Sequence, residues 1–376
     1  MKLREPRSDP AGPPTVWLMQ RTDAAGGVTV IVDALLAHLR ERRPWRVERV
    51  VQRSQADAHA ARRLPRWRRL LNDAAAAWRL ARALERARPD VVVAFTPAFG
   101  AAAAWWVRRY GGRTVLTHHL QREGIGRWAS LVVRLGERWG LFDATVACSA
   151  AVAADFPEAR ALEVVLNGVP DVRPRADPSV DRRWLEARHG VPAAPPIAFA
   201  VGRLAPVKGH EVLVDALVDA VDWHLVIAGE GPSRAELADR AAARGVADRV
   251  HLVGRLQGRE VWSLMRAADA YVQPSRAEGL SLALLEACAM GAVVLASPIA
   301  PNREVVAPGD VGVLVPGDDP GAWAEALAAL RRDPELAREL GRRARAAFEA
   351  RFDERRMLEG YERVVARVLA ARSGPS

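Results

Sequence analysis

The sequence predicts an α/β protein built from two doubly wound parallel sheets. Three observations carry this. Twelve short apolar runs alternate with longer amphipathic segments, six on each side of a central break. Prolines cluster and periodicity lapses across 170–196, PDVRPRADPSV to GVPAAPP. At 376 residues, half of them apolar, the chain can build two cores. Strand–helix alternation means parallel pairing, because each return to the sheet needs a crossover and the crossover helix covers a face.

In chain order, the charged stretch MKLREPRSDPAGPP has no apolar run, so it reads as a short tail and not a secretory leader. Strands follow at 16–20, 47–51, 91–96, 114–119, 144–149 and 163–167. After the break come 197–202, 223–228, 249–253, 269–273, 292–296 and 311–315. Each is a short run rich in Val, Ile, Leu and Ala, as strands buried on both faces should be. No apolar run reaches the roughly 18–20 residues that span a bilayer. Cys148 and Cys288 sit among small apolar residues and read as buried thiols, which suits a reducing cytoplasm.

The net charge of +10 is one-sided. Residues 1–172 hold 27 basic and 17 acidic side chains, while the remainder is balanced at 28 of each. Tryptophan follows the charge, with Trp17, Trp45, Trp67, Trp78, Trp105, Trp106, Trp128 and Trp139 in that half. Basic and aromatic side chains together suit an anionic partner: lipid surface, nucleic acid or substrate. Segment 62–88 concentrates Arg62, Arg63, Arg66, Arg68 and Arg69 around Trp67, Leu70 and Leu71. It is either a membrane-facing helix or a solvated one.

Ligands of doubly wound sheets collect beyond the carboxyl ends of the strands, so the strand–helix junctions are the places to look. The first is Thr22-Asp23-Ala24-Ala25-Gly26-Gly27-Val28, where two glycines open a helix and let backbone approach a ligand. His118 and His119 end the fourth run on opposite faces of the strand. In the second half, 201–210 reads VGRLAPVKGH. All but two of the 55 basic residues are arginine; Lys2 and Lys208 are the exceptions. Lysine is a compact point charge and arginine a planar fork, so Arg203 and Lys208 bring two different cations to one strand end. A pyrophosphate would suit them. Strand 223–228 runs into Gly229-Glu230-Gly231-Pro232, and 249–253 into Gly254-Arg255-Leu256. Then 278–291 reads EGLSLALLEACAMG. Ser281 caps a helix over 282–290, and its first amides face an anion. Glu278 and Glu286 flank that helix start; beside a phosphate, two carboxylates suit hydroxyl groups, as on a sugar and a ribose.

The ordered series GRLAPVKG, IAGEGP, HLVGRL and PSRAEGLSLALLEACAMG resembles the retaining GT-B glycosyltransferases of family 4, the glycosyl transferases group 1. The match covers the whole second half. The first half agrees more loosely, through Gly26-Gly27, Thr117-His118-His119, Asp143, Ser149 and LNGV at 166–169. The resemblance implies a GT-B fold, with an acceptor-binding domain at 15–172, a nucleotide-sugar domain at 196–351, and a last helix over 352–372 returning to the first domain. The ligand cleft lies between the domains. It implies that Arg203 and Lys208 bind the donor pyrophosphate and stabilise the leaving nucleoside diphosphate. Glu286 takes the ribose hydroxyls. Glu278 contacts the transferred sugar, helped by the backbone of Gly279, Leu280, Ser281 and Leu282. Backbone at Arg255 and Leu256 receives the base, and Gly27 touches the diphosphate. His119, two residues after Thr117, is the acceptor-domain histidine, with His118 as rival. Two departures stand out: Pro170 precedes Asp171 in the loop after LNGV, and Ser281 replaces a common glycine.

The expected reaction is transfer from a nucleotide-sugar, UDP first and GDP next, to an acceptor hydroxyl with retention. No cofactor is expected. No Asp-x-Asp loop is present, and fixed cations with helix-start amides can stabilise the leaving group, so metal-independent transfer is expected. The basic, Trp-rich half makes a lipid-linked or membrane-near acceptor a candidate, with the protein cytoplasmic and peripheral at the inner membrane face. The rivals are another GT-B reaction, an epimerase or a pyridoxal phosphorylase using Lys208, and a basic nucleic-acid module. The chain carries no nucleic-acid-binding motif, so a nucleic-acid partner is not expected.

Overall fold

The computed structural model describes residues 12–22, 26–53, 66–120, 127–159 and 161–371, with side chains at 21, 22, 52, 53, 66–74, 97, 98, 127 and 128 outside the description. The chain forms two compact units: 1–166 with 357–376, and 167–356.

The first unit has strands β1 (Thr15–Thr22), β2 (Arg46–Arg53), β3 (Val91–Ala94), β4 (Arg113–His118), β5 (Ala144–Ala147) and β6 (Leu162–Val164). They form one six-stranded sheet in the order β2-β1-β3-β4-β5-β6, with every pairing parallel. Its helices are α1 (Gly27–Arg42), α2 (Arg66–Ala87), α3 (Pro97–Val107), α4 (Arg127–Arg138) and the short α5 (Ala150–Ala153). β3 and β5 are buried along their whole length, as central parallel strands must be when helices cover both faces. Carboxylates fix the sheet's amino edge: the buried Asp90 accepts from the Thr15 amide at 2.7 Å and the partly buried Asp143 from the Thr114 amide at 2.8 Å.

The second unit repeats the plan with β7 (Ile197–Val201), β8 (His224–Ala228), β9 (Val250–Gly254), β10 (Ala270–Gln273), β11 (Val294–Ala296) and β12 (Val313–Leu314), ordered β12-β11-β10-β7-β8-β9. Its helices are α6 (Arg182–His189), α7 (His210–Ala216), α8 (Arg234–Ala243), α9 (Gly258–Ala267), α10 (Leu282–Met290), α11 (Ala300–Val306), α12 (Pro320–Arg332) and α13 (Pro334–Ala347). Local sequence sets their ends. Asp181, Ser281, Asp319 and Asp333 cap helix starts through their side chains, and Gly190 and Gly291 close α6 and α10 in the left-handed conformation. One core runs under the sheet, with Trp223, Leu225, Ile227, Val272 and Trp323 fully enclosed.

The crossing out of the first unit falls at 166/167, earlier than the expected break at 170–196. Residues 167–196 are tied into the second unit. Asn167 donates to the Leu280 carbonyl at 3.0 Å, the Val169 amide donates to the Phe352 carbonyl, and Asp171 takes two bonds from Arg345 at 2.8 and 2.7 Å. Arg182 reaches Asp269 and the Ala267 carbonyl. The last helix, α14 (Glu354–Ala370), joins the first unit from Met357 onward. There Glu362 binds His38 of α1 at 2.7 Å and Arg43 at 2.5 Å, while Gly360 lies against Val165.

Candidate active site

In each sheet the strand order reverses beside the first strand: between β1 and β3, and between β7 and β10. Loops leaving two such strands part to opposite faces and open a crevice at the carboxyl edge. In the second unit those two loops hold Arg203 and Lys208 after β7, and Ser275 to Leu282 after β10.

Lys208 ends a short turn, 206–208, and its ammonium lies 2.5 Å from Glu278. Glu278 also accepts from the Ser275 hydroxyl at 2.7 Å. Glycines make room for this. The Lys208 stem passes Gly202, where a Cβ would meet it at 3.6 Å. Gly209, at φ +65, packs so tightly that a Cβ would lie 2.3 Å from the Pro274 carbonyl oxygen. Arg276 stitches the two loops together. Its amide donates to Val207 and its guanidinium to Pro206 at 2.8 and 2.7 Å, and it pairs with Glu211 and Asp318. Arg203 is exposed and makes no hydrogen bond or ion pair among the described residues.

Helix α10 starts at the same edge. Ser281 caps it by accepting from Leu284 at 3.4 Å and donates to Gln273 at 2.9 Å. Gln273 in turn receives the buried Tyr271 hydroxyl at 3.1 Å and donates to Asn302 at 3.0 Å. Burial, and then the charges of Glu278 and Glu286, hold the Tyr271 hydroxyl well above its usual range. Glu278 lies in the loop leaving β10, and Glu286 is the fifth residue of α10. Burial pushes the Glu286 carboxyl up to about 7, partly offset by a hydrogen bond from Trp262. The Trp262 indole has space because position 258 is glycine; a Cβ there would lie 3.2 Å from the ring. Arg255 and Leu256 follow Gly254 in the turn before α9, with Arg255 exposed.

At the first unit's carboxyl edge, Gly27 is exposed at the start of α1, whose N-cap Gly26 offers no side chain. His118 and His119 separate as strand alternation requires. His118 is turned inward and stacks on Phe156 at 3.7 Å. His119 follows the strand end, stacked on Phe95 at 5.5 Å, with Nε2 3.4 Å from the Tyr361 hydroxyl of α14. Its Nδ1 is buried without a hydrogen bond, and burial pushes the imidazole down to about 4. At neutral pH it is an uncharged hydrogen-bonding group and a weak base.

The second unit's edge therefore gathers an ion-paired ammonium, an unpaired guanidinium, capped helix amides and two carboxylates. Cations and amides hold an anion; carboxylates accept from hydroxyls. Trp262, Arg276 and Asn167 were not assigned from sequence. Arg276 stood in PSRAEG and Asn167 in LNGV, but their contacts reach distant loops that spacing does not show. Among the described residues no group of three or more His, Cys, Asp or Glu is placed to hold a metal ion.

Two family models match the chain: Glycosyl transferases group 1 over 181–347 and Glycosyltransferase Family 4 over 25–173. The chain belongs to the group 1 glycosyltransferases and has the GT-B fold. A sucrose-phosphate synthase from Thermosynechococcus elongatus is similar in structure, with TM-score 0.80 and 21% identity over 95% of this chain and 100% of that one. Anabaena Alr3699/HepE, solved with UDP and glucose, has TM-score 0.78 and 18% identity over 94% and 99%. In sequence, the lipopolysaccharide core biosynthesis mannosyltransferase LpsB of Rhizobium meliloti is 33% identical over 60% of this chain and 64% of its own length. The alpha-D-kanosaminyltransferase of Streptomyces kanamyceticus is 31% identical over 47% of each. The matched regions thus span about half to two thirds of these relatives.

Proposed function

We propose that the chain is a glycosyltransferase that takes a sugar from a nucleotide-sugar, UDP first and GDP next, to an acceptor hydroxyl. The observation that carries this is the Lys208–Glu278 pair beside the capped start of α10, with Arg203 exposed and Glu286 half-buried in that helix. As the sugar–phosphate bond breaks, charge builds on the departing diphosphate. Arg203 and Lys208, with the amides of 279–282, take that charge. Glu278 exchanges its ion pair for a sugar hydroxyl, and Glu286 accepts from the ribose. The backbone at Arg255 and Leu256 lies against the base. Gly27 and His119 keep the places the family resemblance gives them, Gly27 against the diphosphate and His119 as the acceptor-domain histidine.

Transfer is proposed to need no metal and no cofactor, because Arg203, Lys208 and the helix-start amides meet the leaving group's charge. Retention rests on the family resemblance; the anomeric coupling constant of the product checks it, and an inverted product would overturn it. A lipid-linked or membrane-near acceptor, and a peripheral cytoplasmic location, rest on the basic, tryptophan-rich first half. No described helix is long and apolar enough to cross a membrane. A thermal-shift panel of UDP-, GDP- and dTDP-sugars tests the donor reading, since a ligand of the folded state raises its stability. Donor turnover with acceptor, undiminished by chelator, is expected; loss of turnover on chelation would contradict the metal-free reading.

A further inference from the structure

Three tryptophans stand exposed on the helical layer of the first unit: Trp78 at 60%, Trp105 at 50% and Trp139 at 67%. Right-handed crossovers put α2, α3 and α4 on one face of the sheet, where α3 packs against both neighbours. Helices α3 and α4 run from the carboxyl edge back to the amino edge, so their last turns lie side by side there. Trp105 is in the last turn of α3 and Trp139 directly follows α4. Arg108 joins the two ends by donating to the Gly140 carbonyl. The Arg109 guanidinium lies over Trp105 at 3.9 Å and Trp106 at 4.5 Å, and the two indoles meet edge to face at 5.2 Å. In the middle of α2, Arg82 covers Trp78 at 4.6 Å.

We infer that this edge, centred on Trp105, Arg108, Arg109 and Trp139, docks the protein on an anionic lipid bilayer. Exposed indoles are amphipathic and settle at the headgroup level, where an apolar body and a polar N–H are both satisfied. An arginine stacked on an indole adds its positive charge beside the ring, where it attracts an anionic surface. The charge is complementary: over the described parts of these helices and the turns after them, Arg79, Arg82, Arg86, Arg108, Arg134 and Arg138 are exposed, against one exposed carboxylate, Glu85. Gly27 and His119 lie at the other edge of the sheet, about 20 Å away by the length of β4. Docking therefore leaves that edge open to water. The surface deepens the membrane-near part of the proposed function and rests on it for its purpose, but its residues are independent of the donor site. It also differs from segment 62–71, whose side chains lie outside the described residues.

The full chain is sedimented with phosphatidylcholine vesicles, with or without phosphatidylglycerol, at low and high salt. Binding is expected only with phosphatidylglycerol, falling with salt, and about fivefold for each of Arg108→Gln and Arg109→Gln. Trp105→Ala with Trp139→Ala loses binding, while Trp105→Phe with Trp139→Phe keeps most of it. Equal binding to neutral vesicles, no binding at all, or variants that bind like the wild type overturn the inference. So does binding abolished only by neutralising the arginines of 62–71, loss confined to duplex DNA, or a Trp105/Trp139 effect on self-association alone. A UDP-sugar thermal shift is run on each protein. If the shift persists without vesicle binding, docking fails and the donor reading stands; vesicle binding without any nucleotide shift leaves docking standing and the donor reading fails.

Discussion

Lys208 is held by Glu278 before any donor arrives, and that pairing has a consequence. A diphosphate must compete with Glu278 for the ammonium. Glu278→Gln should therefore bind UDP more tightly, by roughly fivefold for a partly buried pair worth about 1 kcal/mol, while transfer falls because the sugar loses its carboxylate. Calorimetry and initial rates on one preparation check this; weaker UDP binding with normal transfer would contradict it. Glu286 makes a second prediction. Its carboxyl is pushed up from 4.5 to about 7 mainly by burial, so the donor-free folded state binds the extra proton between those values. Stability contributed by the protonated form is full below about 4.5 and is lost as pH rises through about 7. Glu286→Gln should then match the wild type near the bottom of that window. Above it the variant should be more stable, by about 1–3 kcal/mol, and should bind nucleotide more weakly. Denaturant melts at both ends of the window decide it; Trp262→Phe, which removes the donor to Glu286, should carry the wild-type loss to higher pH.

At the scale of elements, the β7 turn and the start of α10 form one device. The run of apolar strands, the Ser281 cap and the helix over 282–290 were legible in the sequence, because caps and periodicity are local signals. The Lys208–Glu278 contact was not, since it depends on how Gly209 seats against Pro274 and how Arg276 clamps the Pro206 carbonyl. Gly209→Ala would force a Cβ onto the Pro274 carbonyl oxygen in a left-handed conformation. It should cost about 1–3 kcal/mol and displace Lys208, seen as a lower melting temperature and slower transfer. Ser281→Ala should cost about 1 kcal/mol as a lost cap and also release the Gln273 amide. Equal melting of either variant and the wild type would show that the device is not rigid.

Across the whole molecule, the sequence located the twelve strands of the described residues, while the crossing falls at 166/167, ahead of the proline-rich stretch. Polar ties at Asn167, Asp171 and Arg182 bind the proline-rich stretch to the second unit, and side-chain reach of that kind leaves no mark in hydropathy. His118 and His119 were similarly undecided on paper; the stacking partners Phe156 and Phe95 decide which one turns inward. The closing helix is part of the first unit's fold. Burial works to raise the Glu362 carboxyl, but hydrogen bonds from His38 and Arg43 outweigh it and hold it below its usual range. Removing 357–376 should therefore destabilise the first unit and leave the second folded, which hydrogen exchange resolved by segment can show; uniform loss of protection in both would contradict it.

The central claim is that the second unit holds a nucleoside diphosphate sugar and uses Lys208 on the leaving group. Its most direct test is turnover of the best-binding nucleotide-sugar by the wild type and by Lys208→Ala, with far-UV circular dichroism as the control for folding. The account predicts donor binding and turnover by the wild type, and turnover lost in Lys208→Ala with the fold retained. A folded Lys208→Ala protein that turns over the donor at the wild-type rate would contradict it.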